Sequence, residues 1–291
     1  VDVESARVGF RQVEIRDGLL LLNGRRLVIR GVNQHEHNAE TGRVLSEAWM
    51  RRELVAMKRL NFNAVRTSHY PHDTRWYDLC DELGLYVTDE ANLETHQLWG
   101  ALSRAPEWSG AYLQRAVRMV LRDRNHPCVV TWSLGNESYH GANHAAMAAW
   151  IRAFDGTRPV QYESGNPGPT ISDILAPMYP DLDWVSETLA DPAERRPMVM
   201  CEYAYAKGNS GGNFFKFWDL VVKLPRFQGG FVWDWADKAL VKKLPDGRPY
   251  HAYGELAGEG PQIARMCLNG VVFDDLSLKP AAHEMWKCQA P

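Results

Sequence analysis

Eight short apolar runs recur along the chain, separated by stretches with helical periodicity. The runs are 27–34, 62–68, 85–91, 129–135, 159–164, 173–179, 197–203 and 229–235. Their Val, Ile, Phe, Tyr and Trp content and their length predict buried β-strands. Between them, 46–60 carries Met50, Leu54 and Met57 at i, i+4 and i+7 behind a capping Ser46. Over 73–83, Asp73 caps, Trp76, Cys80 and Leu83 form the stripe, and Gly84 ends the helix. Asn143 is the expected cap of a helix over 143–154, and Phe214, Phe217, Trp218 and Val221 give 213–222 an apolar face. The connections after the fifth and sixth runs read as short or irregular.

Strands alternating with helices imply parallel pairing, because parallel neighbours need a crossover. Eight such units predict an α/β fold, a closed (β/α)8 TIM barrel, with an open doubly wound sheet as the alternative. The absence of a GxGxxG or Walker pattern weighs against the open sheet. Residues 1–26 read as a lead-in segment, a hairpin or the end of a preceding domain. Residues 27–291 read as the barrel with post-barrel loops and one short helix near 281–287.

The C-terminal ends of the predicted strands are polar. They carry Asn33 to His37, Arg66, Ser68 and His69, Asp89 to His96, Asn136 and Glu137, Tyr179, Glu202, and Trp233 to Trp235. In a barrel these ends build the active site. One such cluster alone is matched by ordinary helix-dipole or packing roles; the repetition around one rim is what points to chemistry. Glu137 and Glu202 would face each other across the mouth, the pair that glycoside hydrolysis requires: a general acid and a nucleophile or base. A carboxyl separation of ~5–5.5 Å would mean retention and ~6.5–9.5 Å inversion, which chain spacing leaves open. Asn136 beside the acid suits a hydrogen bond to a sugar 2-hydroxyl. Glu94 and His96 face one way if the chain is extended. With Glu137 they would hold Mg²⁺, or simply be solvated and hydrogen-bonded.

Composition narrows the class further. Charged residues make up 24% and the net charge is −3, with no long basic run, so nucleic acid and polybasic membrane attachment are excluded as expected partners. No apolar stretch approaches the ~18 residues of a membrane span, and the first ten residues do not read as a signal peptide. The five cysteines are odd in number and lack CxxC spacing, which predicts reduced thiols and a cytoplasmic setting.

The segments GVNQHEH (31–37), FNAVRTSHYP (62–71), DEANLETH (89–96), RDRNHP (122–127), WSLGNES (132–138), CEYAYAKGNS (201–210) and GGFVWDW (229–235) closely resemble the catalytic barrel of family 2 glycoside hydrolases. The branch they resemble most is that of the large bacterial β-galactosidases. The resemblance runs from about Val8 to the C-terminus. It implies a retaining exo-β-glycosidase acting on terminal β-D-galactosides, with Glu137 as acid/base and Glu202 as nucleophile. It also implies Mg²⁺ at Glu94, His96 and Glu137, sugar contacts from His35, His69, Tyr179 and Trp233, and a Na⁺ ligand in Asn269. Two positions depart from the family pattern. Tyr205 stands where a sugar-binding histidine is expected, and Met266 replaces an aromatic three residues before Asn269; both would alter the pocket for the sugar's 6-position. The segment Cys267 to Gly270 lacks the lysine of the β-glucuronidase Asn-Lys pair. The flanking β-sandwich domains of the family, one of which lends an aspartate to the sodium site, have no counterpart here. Alternatives are a barrel that binds sugar as a scaffold with little or no turnover, a related family 2 exo-β-glycosidase with another sugar preference, and a metal-dependent hydrolase of a different bond using Glu94 and His96.

Overall fold

The structure is a computed structural model that describes residues 3, 8–207, 210–254 and 268–290. Strands β1 (Val13–Arg16), β2 (Leu19–Leu22) and β3 (Arg25–Arg26) form a small antiparallel sheet. The barrel follows with β4 (Ile29–Gln34), α1 (Glu47–Arg59), β5 (Ala64–Thr67), α2 (Thr74–Leu83), β6 (Tyr86–Glu90), α3 (Ala101–Arg104) and α4 (Ser109–Asp123). It continues through β7 (Val129–Ser133), α5 (Ala142–Phe154), β8 (Val160–Gln161), α6 (Leu182–Ala190), β9 (Met198–Tyr203), α7 (Phe214–Lys223) and β10 (Phe227–Val232). A hairpin of β11 (Leu240–Lys243) and β12 (Pro249–Ala252) and helix α8 (Pro280–Cys288) complete the described chain.

Among the described residues, seven strands pair in parallel in the order β8-β7-β6-β5-β4-β10-β9. The segment 173–179 closes the ring between β8 and β9. It does so by the isolated parallel bridges Gln161 to Ile174, Leu175 to Met198 and Met178 to Glu202 rather than as the continuous strand the sequence predicts. Pro177 lacks the N–H that a ladder needs, so pairing breaks there. The predicted strand 159–164 likewise narrows to Val160–Gln161, because the Tyr162 N–H donates to Ser172 Oγ (2.9 Å) instead of to a neighbouring strand.

Of the helix caps predicted from sequence, all but one form as expected. Ser46 Oγ accepts from Trp49 N, Asp73 Oδ1 accepts from Arg75 N, and Gly84 takes the left-handed conformation that stops α2. Asn143, the predicted cap of α5, lies inside the helix and donates instead to Leu102 O and Ala105 O, each at 2.9 Å. Helix α6 fills the sixth connection, where an irregular link was expected; Asp181 caps it by accepting from Trp184 N.

The core has two layers. Val32, Val65, Val87 and Val129 point outward against α1, α2 and α4. Inside the ring, Ile29, Ala64, Val130, Ile174, Val199 and Phe231 pack with Val13, Leu20 and Leu27 from the lead-in sheet, with no helix residue among them. The lead-in thus plugs the N-terminal end of the barrel, and Gln228 pins it there through hydrogen bonds to Leu20 N, Leu20 O and Leu27 O. Gly31 makes room for this interior: a Cβ there would meet Phe231 Cδ1 at 2.3 Å. Truncating Phe231 to Ala removes the ring that fills this layer and is expected to cost about 3–5 kcal/mol.

Candidate active site

With the N-terminal end plugged, the opposite mouth is where strand ends reach solvent. Its floor is a charge network centred on Arg66, a fully buried residue of β5. The guanidinium donates to both oxygens of Glu90 (2.7 and 3.0 Å), to Asn33 Oδ1 (3.0 Å), to Asn136 Oδ1 (2.8 Å) and to Glu202 Oε1 (3.0 Å). These partners come from four strand ends, those of β4, β6, β7 and β9. A buried guanidinium is tolerated because every face of it finds an acceptor. Burial alone would raise Glu90, but the charge of Arg66, helped by His69 and Ser133, outweighs it and holds this carboxylate below its usual range.

Glu202, at the end of β9, is 4% exposed. Its Oε2 accepts from the Tyr179 hydroxyl at 2.7 Å, and His69 Nε2 stands 3.8 Å from Oε1. Burial and the charge of Glu202 both push the Tyr179 phenol well above its usual range, so it stays a donor. His69 is oriented from behind by Glu90 Oε1 (2.8 Å) at Nδ1. Its ring stacks on Trp233 at 5.2 Å and 8°, while His35 meets Trp233 edge-on at 5.6 Å. The three rings form one aromatic corner beside Glu202. Burial, with Lys238 and His69 nearby, keeps His35 neutral.

Glu137 follows β7, whose last turn is shaped by Gly135 at φ +130°. A Cβ there would sit 2.4 Å from Leu93 O. That close approach lets Asn136 N bond Leu93 O (2.8 Å) and pairs Glu94 with Asn136. Glu137 itself takes φ +35°, and its N–H donates to Glu163 Oε1 at 2.6 Å. Its carboxyl is raised above the usual range. Burial is the main cause; the charges of Glu202 and Glu94 add to it and His96 opposes it. Glu163 is pushed up to about 8, chiefly by burial with the charge of Glu90 adding and Arg66 opposing.

At the outer rim, donor atoms of Glu94, His96 and Glu137 lie within 4.8 Å of one another. His96 Nδ1 is 3.7 Å from Glu137 Oε2, and Asn136 Nδ2 donates to Glu94 Oε1 at 3.2 Å. Two carboxylates and one imidazole, open to water on one side, form a donor set that fits Mg²⁺ with several of its waters retained.

Asn269 has different surroundings. With one orientation of its amide, Oδ1 accepts from Lys238 Nζ at 3.3 Å. With the amide turned over, the oxygen accepts from Trp233 Nε1 (2.8 Å) and Tyr205 Oη (3.2 Å), and the nitrogen donates to Asp234 Oδ1 (3.3 Å). In both orientations the oxygen faces protein donors. A sodium ion on that oxygen would also stand beside the Lys238 ammonium, and two unit charges ~4 Å apart repel by about 4 kcal/mol at an effective dielectric of ~20. These residues do not fit Na⁺.

The mouth therefore gathers Glu137, Glu202, His35, His69, Asn136, Tyr179, Tyr205 and Trp233 on one side of the barrel, with Glu94 and His96 at its edge. Met266 and Cys267 lie outside the described residues. Sequence reasoning noted Arg66 and Glu90 as polar strand ends without giving them a role, and passed over Asn33 as a ligand of Arg66. An arginine at an inward position of an otherwise apolar strand was the available signal. Glu163 carried no such signal, because its contact with Glu137 N spans a distant part of the chain; Lys238 was passed over although its partner Asp234 lies four residues back.

The β-galactosidase of Vibrio cholerae is 51% identical over 100% of this chain, which corresponds to 30% of that protein. The β-galactosidase of Enterobacter cloacae is 50% identical over 98% of the chain and 29% of its own length. The chain thus spans under a third of the length of these curated relatives. Among solved structures, the β-glucuronidase of Faecalibacterium prausnitzii superposes with a TM-score of 0.73 at 27% identity, covering 97% of this chain and 52% of that one. The β-galacturonidase of Eisenbergiella tayi superposes with a TM-score of 0.78 at 21% identity over 98% and 54%, and shares the barrel fold. The sequence profile of the glycosyl hydrolases family 2, TIM barrel domain, matches residues 13–291, and the chain belongs to that family.

Proposed function

We propose that this chain is the catalytic barrel of a retaining exo-β-glycosidase that removes terminal β-D-galactosyl residues by double displacement. The observation that carries the reading is the unequal treatment of two carboxyls in one mouth. Glu202 accepts from Arg66 Nη1 and from the Tyr179 hydroxyl, whereas Glu137 is raised by burial and by neighbouring negative charge. A nucleophile must be ionised and an acid protonated, and here one carboxyl lies against a guanidinium while the other lies among carboxylates. Glu202 attacks the anomeric carbon while Glu137 gives its proton to the leaving oxygen. Glu137 then takes a proton from water as the glycosyl ester is hydrolysed.

The aromatic corner of His35, His69 and Trp233 offers an apolar wall for a sugar face. Glu94, His96 and Glu137 would hold Mg²⁺; when bound, the ion supplies fixed positive charge beside the acid. The galactose preference rests on the relatives named above. Tyr205, beside Asn269 near the expected 6-hydroxymethyl position, is the residue on which that preference turns.

The test is hydrolysis of a p-nitrophenyl β-galactoside, with the anomer released first followed by NMR. The expected result is initial release of β-galactose by the wild-type protein and a loss of at least ~10³-fold in kcat for Glu202→Gln. Wild-type turnover equal to that of the variant would refute the assignment.

A further inference from the structure

A buried carboxylate lies directly beneath the aromatic corner: Asp234, 1% exposed, follows Trp233. Its cation is internal. Lys238 Nζ, four residues on, pairs with Asp234 Oδ2 and lies 5.7 Å from the Trp233 ring centroid. The side chain of Lys238 is itself mostly buried, at 18% exposed. Among the described residues, a second cation of this region, Lys279, is committed to Asp237 Oδ1 at 2.5 Å. The Asn269 oxygen, the expected sodium ligand, meets protein donors whichever way its amide is turned.

We propose that the Lys238 ammonium is the resident cation of this pocket and takes the place that a sodium ion was expected to hold. It neutralises Asp234, steadies the face of Trp233, and leaves the pocket indifferent to monovalent metal ions. A tethered cation is present at any salt concentration, whereas a bound ion is occupied only in proportion to its concentration. The inference rests on the proposed sugar site for its functional meaning, but it is measurable without turnover.

Thermal unfolding of the wild-type protein is compared in NaCl, KCl and choline chloride at equal ionic strength. The expected midpoints are the same in all three. Lys238→Gln leaves Asp234 buried without a cation; its midpoint should fall in choline and recover with saturable dependence on Na⁺. Lys238→Arg keeps a fixed cation and should stay insensitive. A saturable, sodium-specific rise in the wild-type protein overturns the proposal, as does a Lys238→Gln variant whose midpoint is the same in all three salts. If Lys238→Gln does not fold, the wild type and Lys238→Arg decide it alone: insensitivity of both sustains it, and a sodium-specific rise in either overturns it. Galactoside hydrolysis measured in parallel separates the two readings, since absence of turnover in every salt defeats the hydrolase assignment and leaves the midpoints interpretable.

Discussion

Two groups of charged side chains share one barrel mouth and are built in opposite ways. Around Arg66 every donor is answered: Glu90, Asn33, Asn136 and Glu202 close on a guanidinium with no exposed surface. At the rim, Glu94 and His96 are exposed and meet Glu137 without closing on it. The closed set fixes geometry, since a buried charge persists only where its partners are already placed. The open set keeps unused lone pairs, which is what a site needs to take up an ion or pass a proton. Glu202 belongs to the first group and Glu137 to the second, a division in keeping with the nucleophile and acid roles proposed for them.

Four substitutions break or sharpen that contrast. Arg66→Met removes the hub and leaves Glu90 buried without its cation. Denaturant unfolding should show a loss of about 3–5 kcal/mol, whereas no rim substitution should approach that value. Glu137→Gln should spare stability and cut kcat by ~10²–10⁴ on substrates with poor leaving groups, with a smaller loss on activated nitrophenyl glycosides; equal losses on both would deny it the acid role.

Glu53 supplies a third environment, a buried carboxyl with no ion pair among the described residues. It accepts from Gln34 Nε2 at 3.1 Å, and burial pushes it up to about 8. Its folded value is raised, so between about pH 4.5 and pH 8 the unfolded chain has released a proton that the folded chain retains. Stability therefore falls as pH rises through that window. Glu53→Gln should abolish this slope and gain roughly 2–3 kcal/mol at neutral pH relative to the wild type. The smallest effect belongs to the rim. His96→Ala should weaken Mg²⁺ binding, read by calorimetry, by more than ~10-fold and change the unfolding free energy by less than ~0.5 kcal/mol.

Much of the ring was legible in the sequence because period and length are local properties. Met50, Leu54 and Met57 are buried on α1 as their spacing predicts, and Ser46, Asp73 and Gly84 end their helices as their chemistry dictates. The misses have both local and long-range causes. Pairing of 173–179 is limited by Pro177 and by what its neighbours offer, and Asn143 was drawn into α5 by carbonyls of Leu102 and Ala105 some forty residues away. The candidate site was legible as a set of polar strand ends but not as a network. No spacing rule links Arg66 to Glu202 or Lys238 to Asn269, since only closure of the ring brings them together.

The closing segment of the ring has a further consequence. Isolated bridges, one to β8 and two to β9, hold it, a sparser ladder than the paired runs that hold β7 or β9. Amide exchange should reach its backbone before that of β9 or β7. Tyr179 ends this segment, so a sparsely paired stave of the barrel carries the hydroxyl that bonds Glu202. Breathing of the wall and the placement of the proposed nucleophile would thereby be tied to one another.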